Sequence, residues 1–167
     1  MLGPLGVSED RIVKIAVIGT GYVGLVSGAC FSEFGFDVTC IDKDETKIEA
    51  INHGEMPIYE PGLTELVARN IDAGRLRFSN DLSAAVTHAD AVFITVGTPT
   101  RRGDGHADLS FVCAAAKELA AHLSGYTVIV TKSTVPVGTG REVAGIVEKA
   151  NPEANFDMVS NPEFLRE

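Results

Sequence analysis

Cysteine is scarce in this chain of 167 residues: Cys30, Cys40 and Cys113 are odd in number and widely spaced. That pattern supports no disulfide framework and no metal site, and their apolar settings read as reduced, buried thiols of a cytoplasmic protein. Positive charge is also short, with 14 Lys and Arg against 23 Asp and Glu and a formal net charge of −9. A surface of that sign repels polyanions and so excludes non-specific binding to nucleic acid or anionic lipid. No apolar run approaches the ~20 residues a membrane helix needs. The stretch Met1–Arg11 has neither the basic start nor the apolar centre of a secretory signal. Histidine offers no metal or catalytic centre, because His53, His88, His106 and His122 have neither ligand spacing nor an evident acid partner. Repeats, linkers and low-complexity segments are missing too. What is there, 45% hydrophobic and 22% charged residues, is the composition of one globular domain.

The pattern along the chain assigns residues 1–11 to a flexible leader and residues 12–167 to a single domain. Val13–Ile18 is a continuous β-branched run, as expected of a strand buried on both faces. A helix is expected over Tyr22–Phe34, then a strand at Asp37–Ile41. Asp44 caps a helix at Glu45–Asn52, which Gly54 ends. Pro61-Gly62 opens a helix to about Ala73, followed by a strand at Arg75–Phe78. Asp81 caps a short helix before the buried strand Ala91–Val96. A helix at Leu109–Leu123, a strand at Thr127–Thr131, a helix at Gly140–Ala150 and a strand at Phe156–Ser160 complete the series. Six strands alternating with helical crossovers imply an α/β fold of the Rossmann type. It is a doubly wound, six-stranded parallel sheet in the order 3-2-1-4-5-6, with ligands at the carboxyl ends of the strands.

Gly19-Thr20-Gly21-Tyr22-Val23-Gly24 follows the first strand and opens the first helix, the context in which a G-x-G-x-x-G run binds a dinucleotide. Gly19 makes the tight turn, Gly21 admits a pyrophosphate to the backbone, and Gly24 lets helix and strand pack closely. The helix N-terminus adds N–H donors and partial positive charge. Asp42, 23 positions beyond Gly19 at the end of the second strand, can accept hydrogen bonds from both ribose hydroxyls. Its charge repels a 2′-phosphate, so NAD is favoured over NADP, although Lys43 and Lys47 lie close enough to offset that repulsion. Gly97-Thr98-Pro99, Lys132-Ser133-Thr134 and Asn161-Pro162-Glu163 end the fourth, fifth and sixth strands and bring polar groups to the same rim. Arg101-Arg102-Gly103-Asp104-Gly105 reads as a solvated turn.

Five stretches occur in a telling order. They are Val17–Leu25, Pro57-Ile58-Tyr59-Glu60-Pro61-Gly62-Leu63, Gly97-Thr98-Pro99, Lys132-Ser133-Thr134-Val135-Pro136 and Asn161-Pro162-Glu163-Phe164-Leu165-Arg166-Glu167. From Val13 to Glu167 the chain resembles the UDP-glucose 6-dehydrogenase family, within the wider UDP-glucose/GDP-mannose dehydrogenase superfamily. The resemblance implies oxidation of a sugar C6 alcohol to a carboxylate through an enzyme thioester, with two NAD⁺ reduced. It implies pyrophosphate contacts from Gly19, Gly21 and Gly24 and from the Tyr22 and Val23 N–H groups. Asp42 and Lys47 then stand at the ribose, and Thr98 contacts the cofactor's second half. Thr134 and Glu163 are the implied catalytic pair, holding and assisting the hydrolytic water, with Thr134 also beside the cofactor. Glu163, Phe164, Leu165 and Glu167 are implied on the substrate side, Glu167 near the nicotinamide as well. The family's nucleophilic cysteine motif does not occur here, so the chain is expected to be an NAD-binding domain without the rest of a homo-oligomeric parent, and inactive by itself. Two alternatives stay open: the same domain of a GDP-mannose or UDP-N-acetylmannosamine dehydrogenase, and a non-catalytic module that binds NAD and signals by conformation. Tyr59 and the Lys132–Pro136 stretch favour UDP-glucose.

Overall fold

The structure, a computed structural model, describes residues 11–101 and 107–163. Strands β1 (Lys14–Ile18), β2 (Asp37–Ile41), β3 (Leu76–Ser79), β4 (Ala91–Ile94), β5 (Tyr126–Thr131) and β6 (Asn155–Ser160) form one sheet in the order β3-β2-β1-β4-β5-β6. Every pairing is parallel, and β1 sits centrally, with Ile15 opposite both Val38 of β2 and Ala91 of β4. The connections are helices: α1 (Tyr22–Glu33), α2 (Glu45–Asn52), α3 (Leu63–Asp72), α4 (Leu82–Val86), α5 (Ser110–Ala120) and α6 (Thr139–Ala150). The expected architecture and strand order are therefore present.

The β-branched run of β1 explains the two-sided core. Ile15 and Val17 point into a cluster with Leu25, Val38, Ile51, Val67 and Leu76, beneath α1, α2 and α3. Ala16 and Ile18 point the other way, into a cluster with Val92, Ile94, Val112, Leu119 and Val143, beneath α5 and α6. Alternate residues of one strand thus feed two apolar layers, which is why the run does not alternate with polar residues. On the first face Gly28 of α1 lies directly over Cys40 of β2. A Cβ built at Gly28 would stand 2.3 Å from the Cys40 Sγ, and the next atom is 3.8 Å away.

Polar side chains close the ends of the elements. Asp44 accepts a hydrogen bond from the Lys47 N–H and Asp81 from the Ala84 N–H, so both expected caps are formed. Asn70, fully buried, donates to Glu33 and to the Leu66 carbonyl. Its Oδ1 accepts from Arg75 at 2.8 and 3.1 Å, which ties α3 to α1 and to the start of β3.

Several boundaries differ from the sequence reading. The fourth strand stops at Ile94, and the hydroxyl of Thr95 just beyond it turns inward to the Ile18 and Gly19 carbonyls, each at 2.9 Å. The helix expected from Pro61-Gly62 begins at Leu63, since Gly62 has a positive φ of 81°. The thiols also need correcting: Cys40 is buried, but Cys30 and Cys113 are half-buried, at the flanks of α1 and α5. Of the Arg101–Gly105 turn, residues 102–105 lie outside the described residues, as does His106. Thr100 and Ala107 pair in an isolated antiparallel bridge. Among the described residues, no helix is long and apolar enough to cross a membrane. No group of three or more His, Cys, Asp or Glu among them is placed to hold a metal ion.

Candidate functional site

The turn from β1 into α1 builds the centre of the site. Gly19 adopts φ +104°, a backbone that side chains rarely allow, and its N–H donates to the Ile41 carbonyl at 2.7 Å. Gly24 is required by proximity: a Cβ there would lie 1.9 Å from the Gly19 carbonyl oxygen and 2.5 Å from the Thr95 hydroxyl. Beside Gly21, by contrast, a Cβ would meet nothing within 4 Å. Space is therefore closed behind the loop and open in front of it. Helix α1 has no side-chain cap and no acidic residue in its first turn, so its own side chains leave the positive end of the helix uncompensated. The Tyr22 hydroxyl reaches Glu60 at 3.2 Å and ties the Pro57–Gly62 segment to the start of this helix.

In front of the loop lies a cleft of about 410 Å³ at the carboxyl ends of β1, β2 and β4. Its walls include Ile18, Ile41, Leu82, Val96, Phe111 and Ala115, and its polar groups include Asp42, Lys47 and Thr95. An apolar slot with few polar groups suits a flat heterocycle joined to a sugar. Lys43 and Glu118 both line the cleft and join the end of β2 to α5 through a 2.6 Å ion pair.

Asp42 is the most heavily solicited group in this cleft. Its Oδ2 accepts from the Thr20 N–H at 2.9 Å, the Thr20 hydroxyl at 2.7 Å and the Lys47 ammonium at 3.1 Å. Its Oδ1 accepts from the Asp44 N–H at 3.2 Å. Partial burial would push this carboxyl up, but the donors from Thr20, Asp44 and Lys47 outweigh it and hold the group down at about 2. Asp42 is thus a carboxylate at any physiological pH. Of the two lysines near it, Lys47 pairs with it, whereas Lys43 is engaged by Glu118.

The polar ends of β4, β5 and β6 form a second, linked group. The Thr98 hydroxyl donates to the Thr134 carbonyl at 3.1 Å, and the Thr134 hydroxyl donates to the Glu163 carbonyl at 2.6 Å. Ser133 turns inward, its hydroxyl 2.6 Å from the Val96 carbonyl. The Lys132 ammonium stands 3.4 Å from the Glu163 carboxylate and 3.2 Å from the Asn161 side-chain oxygen. These residues stand beyond the lining of the apolar cleft, which reaches Gly97 on this side. Gly19, Gly21, Asp42 and Lys47 therefore share the cleft, Tyr22, Val23 and Gly24 open the helix beside it, and Thr98, Thr134 and Glu163 share the rim. Phe164, Leu165 and Glu167 lie outside the described residues.

Sequence reasoning passed over Thr20, Thr95, Phe111 and Glu118. Thr20 stands between two glycines at a place the glycine pattern leaves unspecified, and its signal was its neighbourhood alone. Thr95 could have been found from Gly24, because a glycine needed for close approach implies an atom to be approached.

Residues 13–167 match the family model described as the NAD binding domain of the UDP-glucose/GDP-mannose dehydrogenase family. A UDP-glucose 6-dehydrogenase of Rhizobium meliloti is 64% identical over 155 residues, covering 93% of this chain and 36% of the relative. One from Bacillus subtilis is 58% identical, over 92% of this chain and 33% of its own length. The chain thus spans about a third of the curated relatives it matches. Among solved structures, a UDP-glucose dehydrogenase from Pyrobaculum islandicum superposes with a TM-score of 0.86 at 40% identity, covering all of this chain and 39% of that one. A GDP-mannose dehydrogenase from Pseudomonas aeruginosa gives 0.86 at 37% identity, over 93% of this chain and 37% of its own. A glycine loop closed behind and open in front, a carboxylate at the end of β2 and this likeness over the whole domain lead to one assignment: the chain belongs to the UDP-glucose/GDP-mannose dehydrogenase family and is its NAD-binding domain.

Proposed function

We propose that this chain is the cofactor domain of a UDP-glucose 6-dehydrogenase and presents NAD⁺ to the C6 alcohol of UDP-glucose in the complete enzyme. The observation that carries the reading is Asp42: an ionised carboxylate lining an apolar cleft, hydrogen-bonded to the glycine loop that opens α1. The 64% identity with the Rhizobium meliloti enzyme supports UDP-glucose over the other sugars of the family. Bound NAD⁺ supplies the hydride acceptor.

The residues of this chain do the rest of the work assigned to it. Gly19, Gly21 and Gly24 and the N–H groups of Tyr22 and Val23 receive the pyrophosphate. Asp42 accepts from the adenosine ribose, with Lys47 balancing its charge. Thr98 would contact the nicotinamide half of the cofactor, and the family resemblance assigns substrate binding to Glu163, Phe164, Leu165 and Glu167. Thr134 and Glu163 hold the water that ends the reaction. The Thr134 hydroxyl already donates to a carbonyl, so it acts toward water as an acceptor. Glu163, paired with Lys132, offers a carboxylate able to orient or deprotonate that water.

The cysteine that forms the thioester is assigned to the remainder of the enzyme. Burial pushes the Cys40 thiol up to about 12, and burial with the neighbouring Glu142 raises that of Cys113. Neither thiol provides thiolate at neutral pH. We place the protein in the cytoplasm, where all three thiols stay reduced.

The test is titration of this chain with NADH, followed by fluorescence or calorimetry. Saturable binding in the micromolar to millimolar range is expected. No binding at millimolar NADH overturns the reading. In the full-length protein, Glu163→Gln should let the acyl-enzyme accumulate with UDP-glucose, detectable by mass. Steady turnover without that species removes Glu163 from hydrolysis.

A further inference from the structure

Thr20 is fully buried, yet the chain places a hydroxyl there where a methyl group would fill space equally well. That hydroxyl donates at 2.7 Å to the same Asp42 oxygen that receives its own N–H and the Lys47 ammonium. A carboxylate oxygen has two lone pairs, so three donors saturate Oδ2. Accepting capacity remains on Oδ1, whose one donor among the described residues is the Asp44 N–H at 3.2 Å. Thr20 also belongs to the glycine loop, so one residue joins the part of the site that meets phosphate to the part that meets ribose.

We infer that Thr20 is a positioning residue for ribose recognition: its hydroxyl locks Asp42 so that Oδ1 alone reads the 2′-hydroxyl of the adenosine ribose. The inference rests on the NAD-site reading above and deepens it. Without the Thr20 hydroxyl the carboxylate keeps its charge and the Thr20 N–H, Asp44 N–H and Lys47 donors, but it loses the shortest of its four hydrogen bonds and with it part of the restraint on its rotation. A ligand must then restrict that rotation on binding, and affinity falls for ligands that touch the carboxylate. Ligands lacking the 2′-hydroxyl do not depend on its orientation.

The experiment uses this chain and four probes: NADH, ADP, 2′-deoxy-ADP and nicotinamide mononucleotide, titrated by calorimetry. Wild type should prefer ADP to 2′-deoxy-ADP. Thr20→Val, which keeps the shape and the N–H but loses the hydroxyl, should weaken NADH and ADP about tenfold, the scale of one charged hydrogen bond. Affinity for 2′-deoxy-ADP and for the mononucleotide should be unchanged, and Thr20→Ser should restore ADP binding. Thr20→Ala gives the same contrast should the valine disturb the turn. Carbon-13 spectra of the Asp42 carboxyl supply an independent reading: it is held at about 2 in wild type and should titrate higher in Thr20→Val. Equal weakening of ADP and 2′-deoxy-ADP would make Thr20 a mere structural element of the loop. Undiminished ADP binding by Thr20→Val would overturn the inference outright. Failure of wild type to bind either NADH or ADP rejects the NAD-site reading itself, a separate outcome.

Discussion

The contact between Gly28 and Cys40 offers a sharp test of how α1 seats on the sheet. In Gly28→Ala the new Cβ would lie 2.3 Å from the Cys40 Sγ, while Val38 and Leu76 remain at ordinary distances of 3.8 and 4.0 Å. The clash is therefore with one atom. Overpacking of a core costs about 1–3 kcal/mol, and replacing glycine by alanine within a helix returns about 0.5–1 kcal/mol. The single variant should lose about 1–2 kcal/mol. Cys40→Ala removes the buried sulfur and leaves a small void, at a cost of about 1–2 kcal/mol. In the double variant the methyl group introduced at position 28 takes up the room the sulfur vacated, and the helix gain is kept. Its stability should fall within about 1 kcal/mol of wild type, a coupling of about 2 kcal/mol. Urea unfolding followed by far-ultraviolet circular dichroism measures all four proteins. Additive losses, within about 0.5 kcal/mol, would refute the reading that the Cys40 sulfur is what leaves no room for a side chain at position 28.

Three further outcomes are expected. Asp42→Ala should lower the preference for NAD over NADP, since it removes the repulsion of a 2′-phosphate and a charged hydrogen bond worth about 1.5–3 kcal/mol before solvent screening; an unchanged affinity ratio would show that Asp42 does not read the ribose. Asp42 is held at about 2 when folded, below its usual 3.8, so it contributes stability above about pH 4 that is lost as the pH falls through about 2. The stability difference between wild type and Asp42→Asn in urea should therefore shrink from about pH 7 to about pH 3, and a constant difference would contradict the assignment. Asn70→Ala should cost about 1–3 kcal/mol, because it strips the Arg75 guanidinium of a buried acceptor; a loss below about 0.5 kcal/mol by thermal or urea unfolding would show that the bracket between α1, α3 and β3 is idle.

Much of the fold could be read because β1, β2, β4 and β5 are short runs rich in β-branched residues and helical patterns separate the strands. Asp44 and Asp81 signalled their helices directly, since a cap acts within three residues. Asp42 was equally legible, its place fixed by the distance from the glycine run to the end of β2. Thr20 escaped because its partner lies 22 residues away and becomes a neighbour only when β1 and β2 pair. Phe111 and Glu118 escaped for another reason: which side of α5 faces the cleft depends on the rotation of the helix about its axis. The same uncertainty about rotation concealed the partial exposure of Cys30 and Cys113. The link from Thr98 through Thr134 to Glu163 depends on the stagger of three strand ends, which no local pattern encodes.

That link gives the crevice a direction. Thr98 and Thr134 each commit their proton to a main-chain carbonyl, so these hydroxyls offer the outside only lone pairs. At the opposite side, the opening turn of α1 carries N–H groups and positive charge. One end of the crevice therefore gives hydrogen bonds and the other takes them. A ligand whose middle is anionic and whose far end bears an amide NH₂ can satisfy both when the amide lies at the rim. The hydroxyls contribute no charge to this choice; they act as a polarity gauge, and their orientation is enforced by the strand ends before any ligand arrives.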